Sequence, residues 1–268
     1  MPSIAAFFLY LYPTFKPTNN SVSTGNINVD LKIIDSYFKA AISVDCVIFG
    51  FDENELKVLL MRCNMEPYVG LWSLIGDMVH IDEGLNEAAD RILQYRTGLE
   101  NVYLDQVKTF GTINRHPLGR VISIAYYSLV KISDYKISTT SRYLEKEWQN
   151  IYNEAHWHSI DDITDLAFDH NEILEESLKS LRKHVREEPV GFNLLPEKFT
   201  LSQLQNLYER ILGVELDKRN FRKKILNMKL LKDINQTQQN VAHRPAKLYC
   251  FDEERYQQLK DKGLIFDL

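Results

Sequence analysis

The chain has 268 residues, 44% hydrophobic and 26% charged, an ordinary balance for a globular protein of one large or two modest domains. Its three cysteines, Cys46, Cys63 and Cys250, show no C-x-x-C spacing and no paired histidines, which argues against a disulfide framework or a zinc site and fits a reducing, cytoplasmic setting. The net charge of −5 hides an asymmetry: residues 196–250 hold eleven Lys/Arg against five Asp/Glu, a basic module on an acidic body, and this suggests that one end meets a polyanion.

Residues 1–28 open on the apolar run Ile4-Ala5-Ala6-Phe7-Phe8-Leu9-Tyr10-Leu11-Tyr12 and pass into a polar Pro/Asn/Ser/Thr/Gly stretch. The run falls far short of the ~20 residues of a membrane span. It also lacks the basic leader and the cleavage site of a signal peptide. A disordered or mis-assigned start is expected, with a docking segment as the alternative. Residues 44–51 and 56–62 are β-rich apolar runs joined by a turn at Asp52-Glu53-Asn54, a predicted hairpin. Gly70-Leu71-Trp72-Ser73-Leu74-Ile75-Gly76 leads into GDMVHIDEGLNEAADRILQYRTGL at 76–99, where Leu85, Ala88, Ala89 and Ile92 form one helical stripe. Strands are predicted over 102–111 and 121–132, the second rich in β-branched and aromatic residues, with Arg115 and Arg120 on the loop between them. A polar, aromatic connection covers 138–155. A strand and turn at 157–163 then precede a helix over about 171–186, with Ile173, Leu174, Ser177, Leu178, Leu181 and Val185 as its buried stripe. Glu187-Glu188-Pro189-Val190-Gly191, acidic and then helix-breaking, marks the expected boundary. It divides the chain into an extension (1–28), a first domain (29–188) and a second (189–268).

Beyond the boundary the pattern reads helix, short turn, helix, hairpin. Residues 200–211 have helical apolar spacing, with Thr200 and Gln203 set as a capping box and Gly213 as terminator. Asp217 is a plausible N-cap for the next helix, which runs to Met228 and buries Phe221, Ile225 and Met228. Arg219 and Lys223 then project almost opposite that stripe, with Asn220 and Arg222 on its shoulders, as in a helix that reads the major groove. Residues 230–234 and 246–251 flank a polar tip with His243 and Arg244, read as a wing. Lys218, Arg219, Asn220, Arg222, Lys223, His243, Arg244 and Lys247 are the candidate DNA contacts. A solvated charged helix beside a hairpin is the alternative.

Residues 76–99 resemble the Nudix box, G-x5-E-x7-R-E-U-x-E-E-x-G-U with U aliphatic, which holds divalent metal against a diphosphate. Glu83, Arg91 and Thr97-Gly98-Leu99 keep the frame, whereas Ile92, Tyr95 and Arg96 stand where three glutamates are wanted and Asp77 stands where a glycine is. Magnesium needs several hard oxygen ligands, which these residues cannot supply, so no catalytic residue, metal or cofactor is expected. A degenerate Nudix domain followed by this winged helix resembles the Nudix-related transcriptional regulator family, whose members sense ADP-ribose or, in a pentose-responsive branch, L-arabinose. Residues 192–196, 199–205 and 217–223 are similar to the C-terminal motifs of the sugar-responsive branch and 121–127 to its central strand; the resemblance covers about 43–251. It implies a Nudix-type α/β/α sandwich followed by a winged helix-turn-helix domain, acting as a homodimer on a double-stranded DNA operator. The old catalytic cleft then becomes a pocket for a small effector, a pentose or a derivative, or ADP-ribose. Trp72, Asp77, His80, Glu83, Arg91, Arg115 and Arg120 are the candidate ligand contacts, each with a structural reading as well. An active Nudix hydrolase of ADP-ribose or a sugar nucleotide fused to a DNA-binding domain is the alternative function, and a structural DNA-binding protein with a vestigial domain is the third.

Overall fold

The computed structural model describes residues 21–24, 27–30, 40–137, 155–239, 244–263 and 266. The expectation for the start of the chain lies largely outside them; where they begin, β1 (Ser21–Thr24) and β2 (Ile27–Asp30) pair antiparallel. Two residues, Gly25 and Asn26, separate the strands, a hairpin signature that a reading of bulk polarity passes over.

A seven-stranded mixed sheet follows, built on β3 (Ala41–Phe51). The antiparallel strands β4 (Leu56–Arg62) and β6 (Ile75–Met78) share one edge of β3, β6 along Ser43 to Cys46 and β4 along Phe49 to Phe51. On its other edge β8 (Val121–Lys131) runs parallel, in register from Ala41↔Val121 to Phe51↔Lys131. β5 (Trp72–Ser73) and β9 (Ala155–Ser159) extend the sheet from β4, and β7 (Asp105–Phe110) extends it from β8.

Side chains alternate along a strand, so β3 faces two layers. Val44, Cys46 and Ile48 pack against Ala88, Ala89, Ile92 and Leu93 of α1 (Leu85–Thr97). Val47, Phe49 and Phe51 share a cluster with Ile173, Leu174, Leu181 and Val185 of α2 (His170–Glu187). This is the α/β/α sandwich. The two small alanines let α1 sit close to the sheet, and Gly98 ends it in the left-handed region at φ 75°.

The winged helix comprises β10 (Phe199–Thr200), α3 (Leu201–Leu212), α4 (Lys218–Asn227), β11 (Leu231–Thr237) and β12 (Lys247–Phe251), with sheet order β10-β12-β11. The capping box forms: Thr200 Oγ1 accepts from the Gln203 amide at 3.1 Å, and Gln203 Oε1 accepts from the Thr200 amide at 2.8 Å. Asp217 caps α4 by accepting from the Asn220 amide at 2.8 Å. A further helix, α5 (Glu253–Lys260), follows the wing, capped by Asp252. Its Tyr256 is buried against Phe251 and donates to Glu188 just past α2, which Lys260 also reaches at 2.9 Å. The core does not stop at the junction. Phe192, Leu207, Tyr208 and Phe221 belong to the same cluster as Phe51, Leu56 and Val58, and Arg182 Nε donates to Ile211 O at 3.1 Å across it. Among the described residues no helix is long and apolar enough to cross a membrane.

Candidate functional site

On the α1 side of the sheet, the loop of residues 78–84 is braced by its own charges. Arg91 donates from Nε and Nη2 to the two oxygens of Glu83 (2.8 and 2.6 Å) and from Nη2 to Met78 O (2.9 Å). The Arg91 hydrogen bonds hold the Glu83 carboxyl down at about 2. Glu83 also accepts from the His80 amide at 2.8 Å, while the His80 side chain is exposed. Asp77 pairs with Arg96, and Ile92 is wholly buried in the core beneath. This donor set suits a hard divalent metal poorly: Asp77 and Glu83 are each paired with an arginine, and Arg96 and Ile92 offer no oxygen ligand. Among the described residues no group of three or more His, Cys, Asp or Glu is arranged to hold a metal ion.

The α2 side carries a denser cluster. Asp45, the one charged residue of β3, is buried among apolar neighbours. It accepts from Ser123 Oγ of the paired strand and lies 3.8 Å from the Arg115 guanidinium and 3.6 Å from His170 Nε2. Arg115 meets Asp169 in a two-pronged pair at 2.7 and 2.6 Å. Asp169 and His170 stand at the start of α2. The Leu74 amide donates to His170 Nδ1 at 2.9 Å, so Nε2 carries the ring proton and faces Asp45. Phe168 walls the cluster, with Tyr68 at 4.7 Å, His116 stacked at 5.1 Å and 5° between planes, and His170 at 5.1 Å. Phe168 has φ 56°, a backbone position that costs a bulky residue roughly 1–3 kcal/mol and that clusters at functional sites.

Two expected results follow from this packing. A methyl group at Gly76 would stand 2.1 Å from Asp45 Oδ1 and 3.0 Å from Val44 O, so Gly76→Ala must displace the carboxylate and should lower stability by about 1–3 kcal/mol in urea unfolding. Burial pushes the His170 imidazole down, against the pull of Asp45 and Asp169. With the folded pKa depressed, the unfolded chain takes up the proton first as pH falls below about 6.5. The stability contributed by neutral His170 is therefore full above that pH and lost below it. The urea midpoint should fall between pH 7.5 and 5.5, and His170→Gln should flatten the fall.

Of the seven candidate ligand contacts, His80 and Glu83 lie on the braced loop, Arg91 of α1 binds it and Asp77 of β6 precedes it, and Arg115 joins the α2-side cluster. Trp72 is half-buried beneath the Arg62 guanidinium (3.7 Å) and beside His158 (4.2 Å). Arg120 is exposed and donates to Gly111 O at 2.6 Å and Thr112 O at 3.2 Å. The sequence reading missed Asp45, Ser123, Tyr68, His116, Phe168, Asp169 and His170. One signal was available, a lone carboxylate inside an apolar strand.

In the winged helix, Phe221 and Ile225 are buried while Lys218, Arg219, Asn220 and Lys223 are exposed. Arg222 turns inward: its Nη2 donates to Ser202 Oγ at 3.1 Å, and its Nε is buried without a partner. Lys247 is paired with Asp233, Arg244 is exposed, and His243 lies outside the described residues.

The architecture is that of a Nudix domain fused to a DNA-binding head, and comparison with known proteins agrees. The NUDIX domain family matches residues 39–180 and the NrtR DNA-binding winged helix domain matches residues 191–251. The ADPR responsive transcriptional repressor NtrR of Acinetobacter baylyi is 31% identical over 226 residues, which cover 82% of this chain and 85% of that one. The chain belongs to the NrtR-type Nudix regulators. The crystal structure of Shewanella oneidensis NrtR complexed with a 27mer DNA is similar with a TM-score of 0.60 at 28% identity, over 78% of this chain and 93% of that one. The ADP-ribose pyrophosphatase of Methanocaldococcus jannaschii is 27% identical over 150 residues, 56% of this chain and 80% of its own.

Proposed function

We propose that this protein is a cytoplasmic, ligand-responsive transcriptional regulator that binds an operator as a homodimer and has no hydrolase activity. The observation that carries the reading is a single helix, α2: its first residues, with Asp169 as cap, belong to the buried polar cluster, and its last turns hold the winged helix through Arg182 and the adjoining Glu188. A ligand that competes for Arg115 or Asp169 therefore acts on the element that carries the DNA-binding head. Binding must favour one arrangement of two heads over another, since equal affinity for both shifts nothing.

The chemistry of the cluster favours a small polyhydroxylated effector such as a pentose. Asp45 and Asp169 offer acceptors, Arg115 a forked donor, and Phe168 with Tyr68 and His116 an aromatic wall. Arg91 and Arg96 on the α1 side are each already paired with a carboxylate, which leaves them poorly placed to take a diphosphate. ADP-ribose is the second reading, favoured by the Acinetobacter baylyi relative. The test titrates L-arabinose, D-xylose, their phosphates and ADP-ribose against the full chain, following both the melting temperature and affinity for a duplex selected by the protein from a randomised pool. A pentose that changes both is the expected result. A ligand that raises stability without altering DNA affinity rejects the switch, and a response to ADP-ribose alone reassigns the effector. Magnesium-dependent turnover of ADP-ribose above a metal-free control would overturn the non-enzymatic reading.

A further inference from the structure

Residues 179, 182, 183 and 186 of α2 are spaced to share one helical face, and all four are cationic. With Glu187 they line a groove of ≈ 360 Å³ among the described residues. The four cations are not equally engaged. Lys179 is paired with Glu175 and Glu176, at 2.8 and 3.0 Å. Arg182 spends Nε on Ile211 O, and this fixes its guanidinium against Gly213, where a methyl group would stand 2.7 Å from Nη2. Lys183 and Arg186 have no carboxylate partner among the described residues. The groove thus concentrates positive charge that its own acids, Glu187 and the more distant Asp161, do not cancel. Burial and the nearby Arg186 both disfavour the charged form of Arg182, as expected where like charges lack a counter-ion.

The location of the groove gives that charge a use. Gly213 ends α3, and Asp217, four residues on, caps α4. Four residues span at most about 14 Å. Recognition helices enter the major groove by their N-terminal end, and the short turn that leads to this end of α4, with exposed Lys218 and Arg219, starts at Gly213, against which Arg182 of the groove is packed. A duplex carries one phosphate per ~1.7 Å of axis, so DNA seated on α4 brings further backbone to this side. We propose that the α2 groove is a phosphate-binding surface for the flank of the bound duplex, so that the Nudix part itself contributes to DNA affinity through Arg182, Lys183 and Arg186. The proposal rests on the DNA-binding reading above and adds a contact outside the winged helix.

The test is a Lys183→Gln, Arg186→Gln double variant of the full chain, bound to a duplex selected from a randomised pool by the unmodified protein, with affinity measured from 50 to 200 mM salt. Affinity is expected to fall about tenfold at the low-salt end, and the slope of log affinity against log salt to become shallower by about 2. Discrimination between the selected duplex and a scrambled one, and the melting temperature, should not change. Affinity and slope equal to those of the unmodified protein would overturn the proposal while leaving the DNA-binding reading intact. An unmodified protein that binds no duplex overturns both. A second arm titrates inorganic phosphate: a rise in melting temperature that the double variant loses, with no change in the DNA salt slope, assigns the groove to a free anion and rejects the flank contact.

Discussion

Arg115→Ala is expected to cost roughly 3–5 kcal/mol of stability, because it removes the counter-charge from two carboxylates that have little access to water. The Arg115 side chain is only 4% exposed, against 8% for Asp45 and 19% for Asp169. Removing one member of such a group leaves the others unpaired rather than deleting one attraction. Arg115→Lys retains the charge but not the planar fork that bonds Asp169 twice, so it should lose less than the alanine variant. Urea unfolding measures both. A loss below about 1 kcal/mol for the alanine variant would mean that the cluster is held by its aromatic packing and not by its charges.

The second large effect is on DNA. Emptying the exposed face of α4 with Arg219→Ala, Asn220→Ala and Lys223→Ala together should weaken binding to a selected duplex by about 100-fold or more, since each base-reading side chain contributes about 1–3 kcal/mol. The melting temperature should barely move, because all three side chains are exposed. Unchanged affinity in an electrophoretic or anisotropy titration would remove α4 as the reading helix. Arg222 behaves differently in this account. Its guanidinium is tied to Ser202 at the start of α3, so Arg222→Ala should lower stability as well as affinity.

The parts of the fold that were legible in the sequence are those fixed by local chemistry. Thr200 with Gln203, Asp217 and Gly213 are capping residues whose roles depend on near neighbours, and each does what its position implies. The long apolar strands and the α2 stripe were legible because burial imposes a period on them. α5 was missed although Asp252 followed by two glutamates is a start signal, because its pattern is short and mostly polar. Of the polar cluster only Arg115 was named from the sequence, and the lone carboxylate of β3, Asp45, was the one further signal. Asp45 comes from β3, Ser123 from β8, and Asp169 and His170 from the start of α2, so their meeting depends on the parallel pairing of β3 with β8 and on the layer that covers it. Sequence spacing carries no trace of that meeting. The left-handed backbone of Phe168 is equally silent, since nothing local requires it there.

The unbroken core between sheet and winged helix removes the swivel that a tethered head would have. With Tyr208 and Phe192 sunk into the cluster that holds Phe51 and Val58, and with Glu188 gripping Tyr256 and Lys260, each molecule holds its winged helix against its own body through a shared core. Where two molecules share one operator, the separation and the tilt between the bodies are then the quantities left to adjust. The yardstick for that separation is set by the nucleic acid, whose successive major-groove faces recur about every 34 Å along the axis. Gating then becomes a matter of gauge, as with a pair of wheels on one axle: the heads can be perfectly formed and still miss their track.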